Sequence, residues 1–124
     1  MIQVIVDSGT DLREGLAGKL TVVPMSIRFG TADYLDGVDI DRTRFYQMLI
    51  ESDALPATSQ ATPAAFAKVL KPVMAAGDQA LIITISGKLS GTYQSAMLAA
   101  ADWPDRVMVV DSESVAMGSG ILTE

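Results

Sequence analysis

Residues 79–86 read QALIITIS, and through Gly87 they pass directly into residues 88–96, KLSGTYQSA. A nearly continuous apolar run of eight residues is the pattern of a central strand in a parallel sheet, covered on both faces. The stretch after it carries four hydroxyl side chains and a glycine. A turn needs one or two such residues; a site that holds an oxyanion could use all of them. Beyond Gly91 the composition becomes alanine-rich, and the spacing predicts a helix over about 91–101, closed near Trp103-Pro104.

The flanking segments repeat the alternation. Residues 2–6, IQVIV, form a short β-branched run ending at Asp7-Ser8-Gly9, a strand followed by a turn. Residues 20–29 are a second extended stretch, in which Pro24 marks an edge or a kink. DYLDGVDID (33–41) reads as a turn feeding a helix over about 42–52, with Phe45, Met48, Leu49 and Ser52 on one face. LPATSQATP (55–63) reads as a loop. Thr62-Pro63 is an N-cap followed by proline at the first helical position. Phe66, Val69, Leu70, Val73 and Met74 then recur at helical spacing to about residue 76, and Gly77 closes that helix. RVMVV (106–110) is another buried strand that ends in Asp-Ser, echoing VIVDS near the start. A last helix opens at MGSGILTE (117–124). Strand and helix alternate, so the class is α/β with a mostly parallel sheet.

Composition narrows the function. Of 124 residues, 49% are hydrophobic and 19% charged, which calls for a packed core. The net charge of −6, with no basic cluster, argues against nucleic acid or an anionic membrane as partner. Without cysteine or histidine, the chain cannot itself build a disulfide, a thiol nucleophile, a histidine triad or a His/Cys zinc site. No apolar run approaches the roughly 18 residues of a membrane span. The start reads as a strand and not as a signal peptide, so a cytoplasmic location and no cofactor are expected.

Ligands of open parallel sheets gather outside the carboxyl ends of the strands. Three loops leave strands there with hydroxyls: Asp7-Ser8, Ser86 through Thr92, and Asp111-Ser112. Ser90-Gly91-Thr92 also opens a helix, whose unpaired N–H groups and dipole attract an anion. Gly91 lets a ligand come close to the backbone. A second reading makes Ser90 an N-cap and nothing more. In ATSQATP (57–63), Thr62 serves the next helix, whereas Thr58 and Ser59 are not needed for that cap. No P-loop lysine follows Gly91. A phosphotransferase or phosphate-ester-binding enzyme remains the alternative, using Ser90-Gly91-Thr92 with Asp7 or Asp111 as base or metal ligand. Asp33, Asp36, Asp39 and Asp41 do not have EF-hand spacing, and Asp39 or Asp41 is a plausible N-cap. The methionines at 25, 48, 74, 97, 108 and 117 read as core filler.

Several of these segments, in order, resemble the DegV family of fatty-acid-binding proteins: VDSGTDL (6–12), VVPMSIRFG (22–30), YLDGVDI (34–40) leading to FYQML (45–49), TSQATPAAF (58–66), ISGKLSGTYQSA (85–96) and VVDSESVAMGSG (109–120). The resemblance implies a three-layer α/β/α amino-terminal domain over residues 1–124, cut within or near the helix after VDS. The parent is a two-domain bacterial protein that encloses one long-chain fatty acid. It implies that Thr58 and Ser90 hold the fatty-acid carboxylate, with Ser8, Ser59, Gly91, Thr92 and Ser112 as neighbours. It also implies a carrier that is not itself an enzyme and that presents the carboxylate to a fatty-acid kinase subunit for acyl phosphate formation. Family members often have a second serine where this chain has Gly87.

Overall fold

The computed structural model of the chain describes residues 1–10 and 20–115. Ten elements follow in order: β1 (Ile2–Asp7), β2 (Thr21–Val23), β3 (Ser26–Phe29), β4 (Ala32–Leu35), α1 (Arg42–Glu51), β5 (Ala57–Ser59), α2 (Pro63–Ala75), β6 (Gln79–Thr84), α3 (Thr92–Ala100) and β7 (Val107–Asp111). The expected α/β class holds. A four-stranded parallel sheet runs in the order β2-β1-β6-β7. Its register aligns Ile5 with Ile82 and Ile82 with Val109. The apolar run of β6 therefore lies in the interior of the sheet, with a paired strand on each side.

Helices α2 and α3 cover the face built from Ile5, Ala80, Ile82 and Val107. They do so with Phe66, Leu70 and Met74 from one helix and Ala96, Ala99 and Ala100 from the other. The alanines explain the close approach: small side chains let α3 sit against both α2 and the sheet, while Phe66 fills the space between them. Thr62 caps α2 by accepting the amide of Ala65, with Pro63 in the first turn. Gly77, at φ +81°, ends it as the spacing predicts. Ile2, Val22, Met108 and Val110 point to the opposite face of the sheet and are exposed.

Several expectations are corrected. The extended stretch 20–29 is not one strand. Pro24 has no N–H for a ladder, and the chain leaves the parallel sheet after Val23 to start a second one. That second sheet is antiparallel, in the order β4-β3-β5. It converts part of the expected turn into β4 and part of the expected loop into β5. Helix α1 packs on it through Phe45 and Met48, beside Ile27, Phe29 and Ile40. Leu49, expected on the same face, is 37% exposed. Asp41 is the N-cap, accepting the amide of Arg44 at 2.7 Å. Of the methionines read as filler, Met74 is buried and Met48 packs on the second sheet. Met97 and Met108 are exposed. The helix expected from residue 117 lies outside the described residues.

Candidate functional site

The carboxyl ends of β1, β6 and β7 meet at one edge of the parallel sheet, and the loop after β6 is clamped there from both sides. Asp7, fully buried, accepts the amide of Gly9 at 2.9 Å and that of Ile85 at 2.8 Å. Asp111 accepts the amides of Gly87 at 3.1 Å and Glu113 at 2.8 Å. The echo of VIVDS in MVVDS thus has a structural meaning: each strand-terminal aspartate grips the loop of the central strand. Burial raises the Asp7 carboxyl above its ordinary value of 3.8, opposed by the amides of Ile85, Gly9 and Thr10. Both oxygens of each carboxylate are thus engaged by backbone amides, which gives each aspartate a structural role at the strand end. Among the described residues, no group of three or more His, Cys, Asp or Glu side chains gathers.

The clamped loop presents Leu89, Ser90 and Gly91 to a cleft of about 510 Å³, which Met25, Ile85, Thr58, Ser59 and Gln60 also line. The short strand β5 brings the last group there. Its three residues are exposed, and it exists because Thr58 pairs with Ile27 and Ser59 with Ser26 of β3. Two motif segments separated by about thirty positions therefore face each other across one cleft, and among the described residues no Lys or Arg lines it. A second cavity of about 530 Å³ shares Met25, Thr58 and Ile85 with the cleft. It continues past Ile27, Phe45 and Tyr46, with Ser8, Asp36 and Arg42 also in its wall.

The remaining candidates divide. Ser59, Gly91 and Ser90 line the cleft. Ser8 lies in the second cavity, where its hydroxyl accepts the amide of Met25 at 2.9 Å and so fixes the residue common to both cavities. Thr92 is fully buried behind Ser90. Ser112 is turned away, its hydroxyl donating to the carbonyl of Ser114 and accepting that residue's amide. The cap of α3 also differs by one position from the sequence reading. Gly91 is the N-cap and supplies no side chain, while Ser90 accepts the amide of Thr92 at 3.2 Å.

Sequence reasoning missed Gln60. Its amide nitrogen donates to Ser95 at 3.3 Å, which joins the end of β5 to the first turn of α3. Its side chain also occupies the space that a Cβ on Gly91 would need. Such an atom would stand 2.6 Å from the Gln60 carboxamide carbon and 3.0 Å from its nitrogen. A side chain of the protein therefore approaches Gly91 closely. Gly87 is similarly confined, since a Cβ there would stand 2.8 Å from Asp111 Oδ2.

The DegV profile, described as an uncharacterised protein family, matches residues 1–124. The chain belongs to the DegV family. It is 38% identical over 124 residues to a DegV domain-containing protein of Clostridium perfringens, covering 98% of this chain and 44% of that protein. Among solved structures it is similar to a fatty-acid-binding DegV family protein from Thermus thermophilus, with a TM-score of 0.87 and 40% identity over 98% of this chain and 44% of the other. A stearic-acid-binding protein from Eubacterium ventriosum superposes with a TM-score of 0.89 and 32% identity, over 98% of this chain and 45% of that one. The chain thus spans less than half the length of these relatives. Among the described residues, no helix is long and apolar enough to cross a membrane.

Proposed function

We propose that this DegV chain binds a long-chain fatty acid, with the carboxylate in the cleft at Thr58 and Ser90 and the first methylenes along Met25, Ile27, Phe45 and Ile85. The observation that carries the reading is the adjacency of the two cavities: a hydroxyl-lined cleft shares Met25, Thr58 and Ile85 with a second cavity, which is walled on one side by Ile27, Phe45 and Tyr46 and also carries Asp36 and Arg42. The relatives described as binding fatty acids support it. Each hydroxyl bonded to a carboxylate contributes about 1.5–3 kcal/mol, and each buried methylene about 0.8 kcal/mol. About a dozen methylenes therefore outweigh the head group, which sets orientation.

Among the described residues the cleft wall holds hydroxyls and no Lys or Arg, which bears on the next step. Neutral donors hold the anion without quenching its nucleophilicity, which suits a carrier that presents the carboxylate to a kinase subunit for acyl phosphate formation. The second domain of the longer relatives supplies the rest of the enclosure in this reading. The phosphate-ester alternative finds both of its candidate bases, Asp7 and Asp111, held by backbone amides.

Isothermal titration with oleate tests the assignment. The protein binds oleate, and Ser90→Ala weakens binding by about tenfold or more while the far-UV spectrum is unchanged, since one charge-assisted bond is lost. Equal affinity in Ser90→Ala removes Ser90 from the site.

A further inference from the structure

The geometry points to a directed hydroxyl relay, from the Ala61 amide through Thr92 to Ser90, that turns the Ser90 proton toward the cleft and makes the site select ionised carboxylate heads over neutral ones. This rests on the fatty-acid reading and deepens it. The Thr92 hydroxyl is fully buried and accepts the amide of Ala61 at 3.3 Å. It lies 2.9 Å from the Ser90 hydroxyl, a contact in which either oxygen could donate.

The surroundings decide the direction. If Ser90 donated, the Thr92 proton would have no acceptor among the described residues, and an unpaired donor in a dry position is costly. Thr92 therefore donates to Ser90. Ser90 already accepts the amide of Thr92 at 3.2 Å, so both of its lone pairs are used. What remains is one O–H, on a residue that lines the cleft. Each bond in such a chain polarises the next, so Ser90 becomes a stronger donor and a poor acceptor. A carboxylate, which only accepts, fits this site. A fatty alcohol or protonated acid can still accept that proton, but as a neutral acceptor it forms only an ordinary bond, and its own proton finds no lone pair on Ser90. Thr92 is thus a positioning residue, acting on the ligand through Ser90, and it comes from the other side of the β5–α3 junction that Gln60 also bridges.

The test compares oleate with oleyl alcohol in wild-type protein, Thr92→Val and Thr92→Ser. Valine keeps the shape and removes the relay; serine keeps the relay. The expected result is a loss of oleate affinity of about tenfold in Thr92→Val, with oleyl alcohol changed by less than about twofold, and recovery in Thr92→Ser. In a Ser90→Ala background, Thr92→Val then costs less than about twofold more. An unchanged oleate-to-alcohol ratio in Thr92→Val, an equal loss of both ligands, or no recovery with serine overturns the relay. Proton NMR of the wild-type protein gives a readout that needs no variant to fold. The relay requires a slowly exchanging Thr92 hydroxyl proton beside Ser90, and protection of the Ser90 proton instead contradicts it. Failure of wild-type protein to bind oleate refutes the fatty-acid reading itself, which these outcomes keep separate.

Discussion

Replacing Gly91 with alanine separates stability from binding at this site. The backbone of Gly91, at φ −74° and ψ 2°, is open to any residue, so alanine adds no conformational strain. Its methyl group instead meets Gln60, standing 2.6 Å from the carboxamide carbon. That side chain is long and exposed at the surface, so it swings away and gives up its 3.3 Å bond to Ser95. The lost hydrogen bond costs about 0.5–1.5 kcal/mol, and replacing glycine returns about 0.4–1 kcal/mol by restricting the unfolded chain. Net stability therefore changes by less than about 1 kcal/mol. Binding responds more strongly, because the displaced carboxamide moves into the cleft that Thr58 and Ser90 line. Losing one charge-assisted head-group bond weakens oleate by about tenfold or more. Urea unfolding and oleate titration of the same samples measure both quantities. A second pair of proteins, Gln60→Ala with and without Gly91→Ala, binds oleate alike, since no side chain is left to displace. Wild-type oleate affinity in Gly91→Ala refutes this reasoning, as does a stability loss of several kcal/mol, which shows that Gln60 cannot move.

Two further outcomes concern the frame. Asp7→Asn places an amide nitrogen against one of the backbone amides that the carboxylate now accepts, at a cost of about 1–3 kcal/mol. Because burial raises the Asp7 carboxyl above 3.8, the folded state holds that proton more tightly than the unfolded state. Wild-type stability relative to Asp7→Asn is thus greatest below pH 3.8 and declines as pH rises through the raised value. Urea midpoints of both proteins across that range check the sign, and a relative gain with rising pH contradicts it. Phe66→Ala empties a fully buried position between α2 and the sheet, and calorimetry should show a loss of about 3–5 kcal/mol.

Legibility followed burial. The elements whose stability comes from core burial carry their pattern in the chain. β6 is an apolar run, and α2 has a cap, a proline and a helical stripe ending at a glycine. β4 and β5 have no such pattern, because most of their residues are exposed and their order derives from pairing with β3. The loop reading of residues 55–63 failed for that reason, although Thr58 and Ser59 were already legible as hydroxyls not needed for the cap. At the strand ends, Asp-Ser could be read as a place for chemistry. Its use as a clamp on residues 85 and 87 depends on tertiary pairing that no local pattern encodes. Gln60 was invisible for a related reason. An exposed glutamine after a short polar run has no signature until a glycine from another segment arrives beneath it.

Nitrogen-15 amide spectra recorded during an oleate titration below the micellar range locate the head group directly. Saturable shifts should centre on Thr58–Gln60 and Ser90–Thr92 and extend to Met25, Ile27 and Phe45, with acetyl phosphate causing none of them. Saturable shifts confined to other segments, or no response to oleate, would contradict the placement of the carboxylate between Thr58 and Ser90.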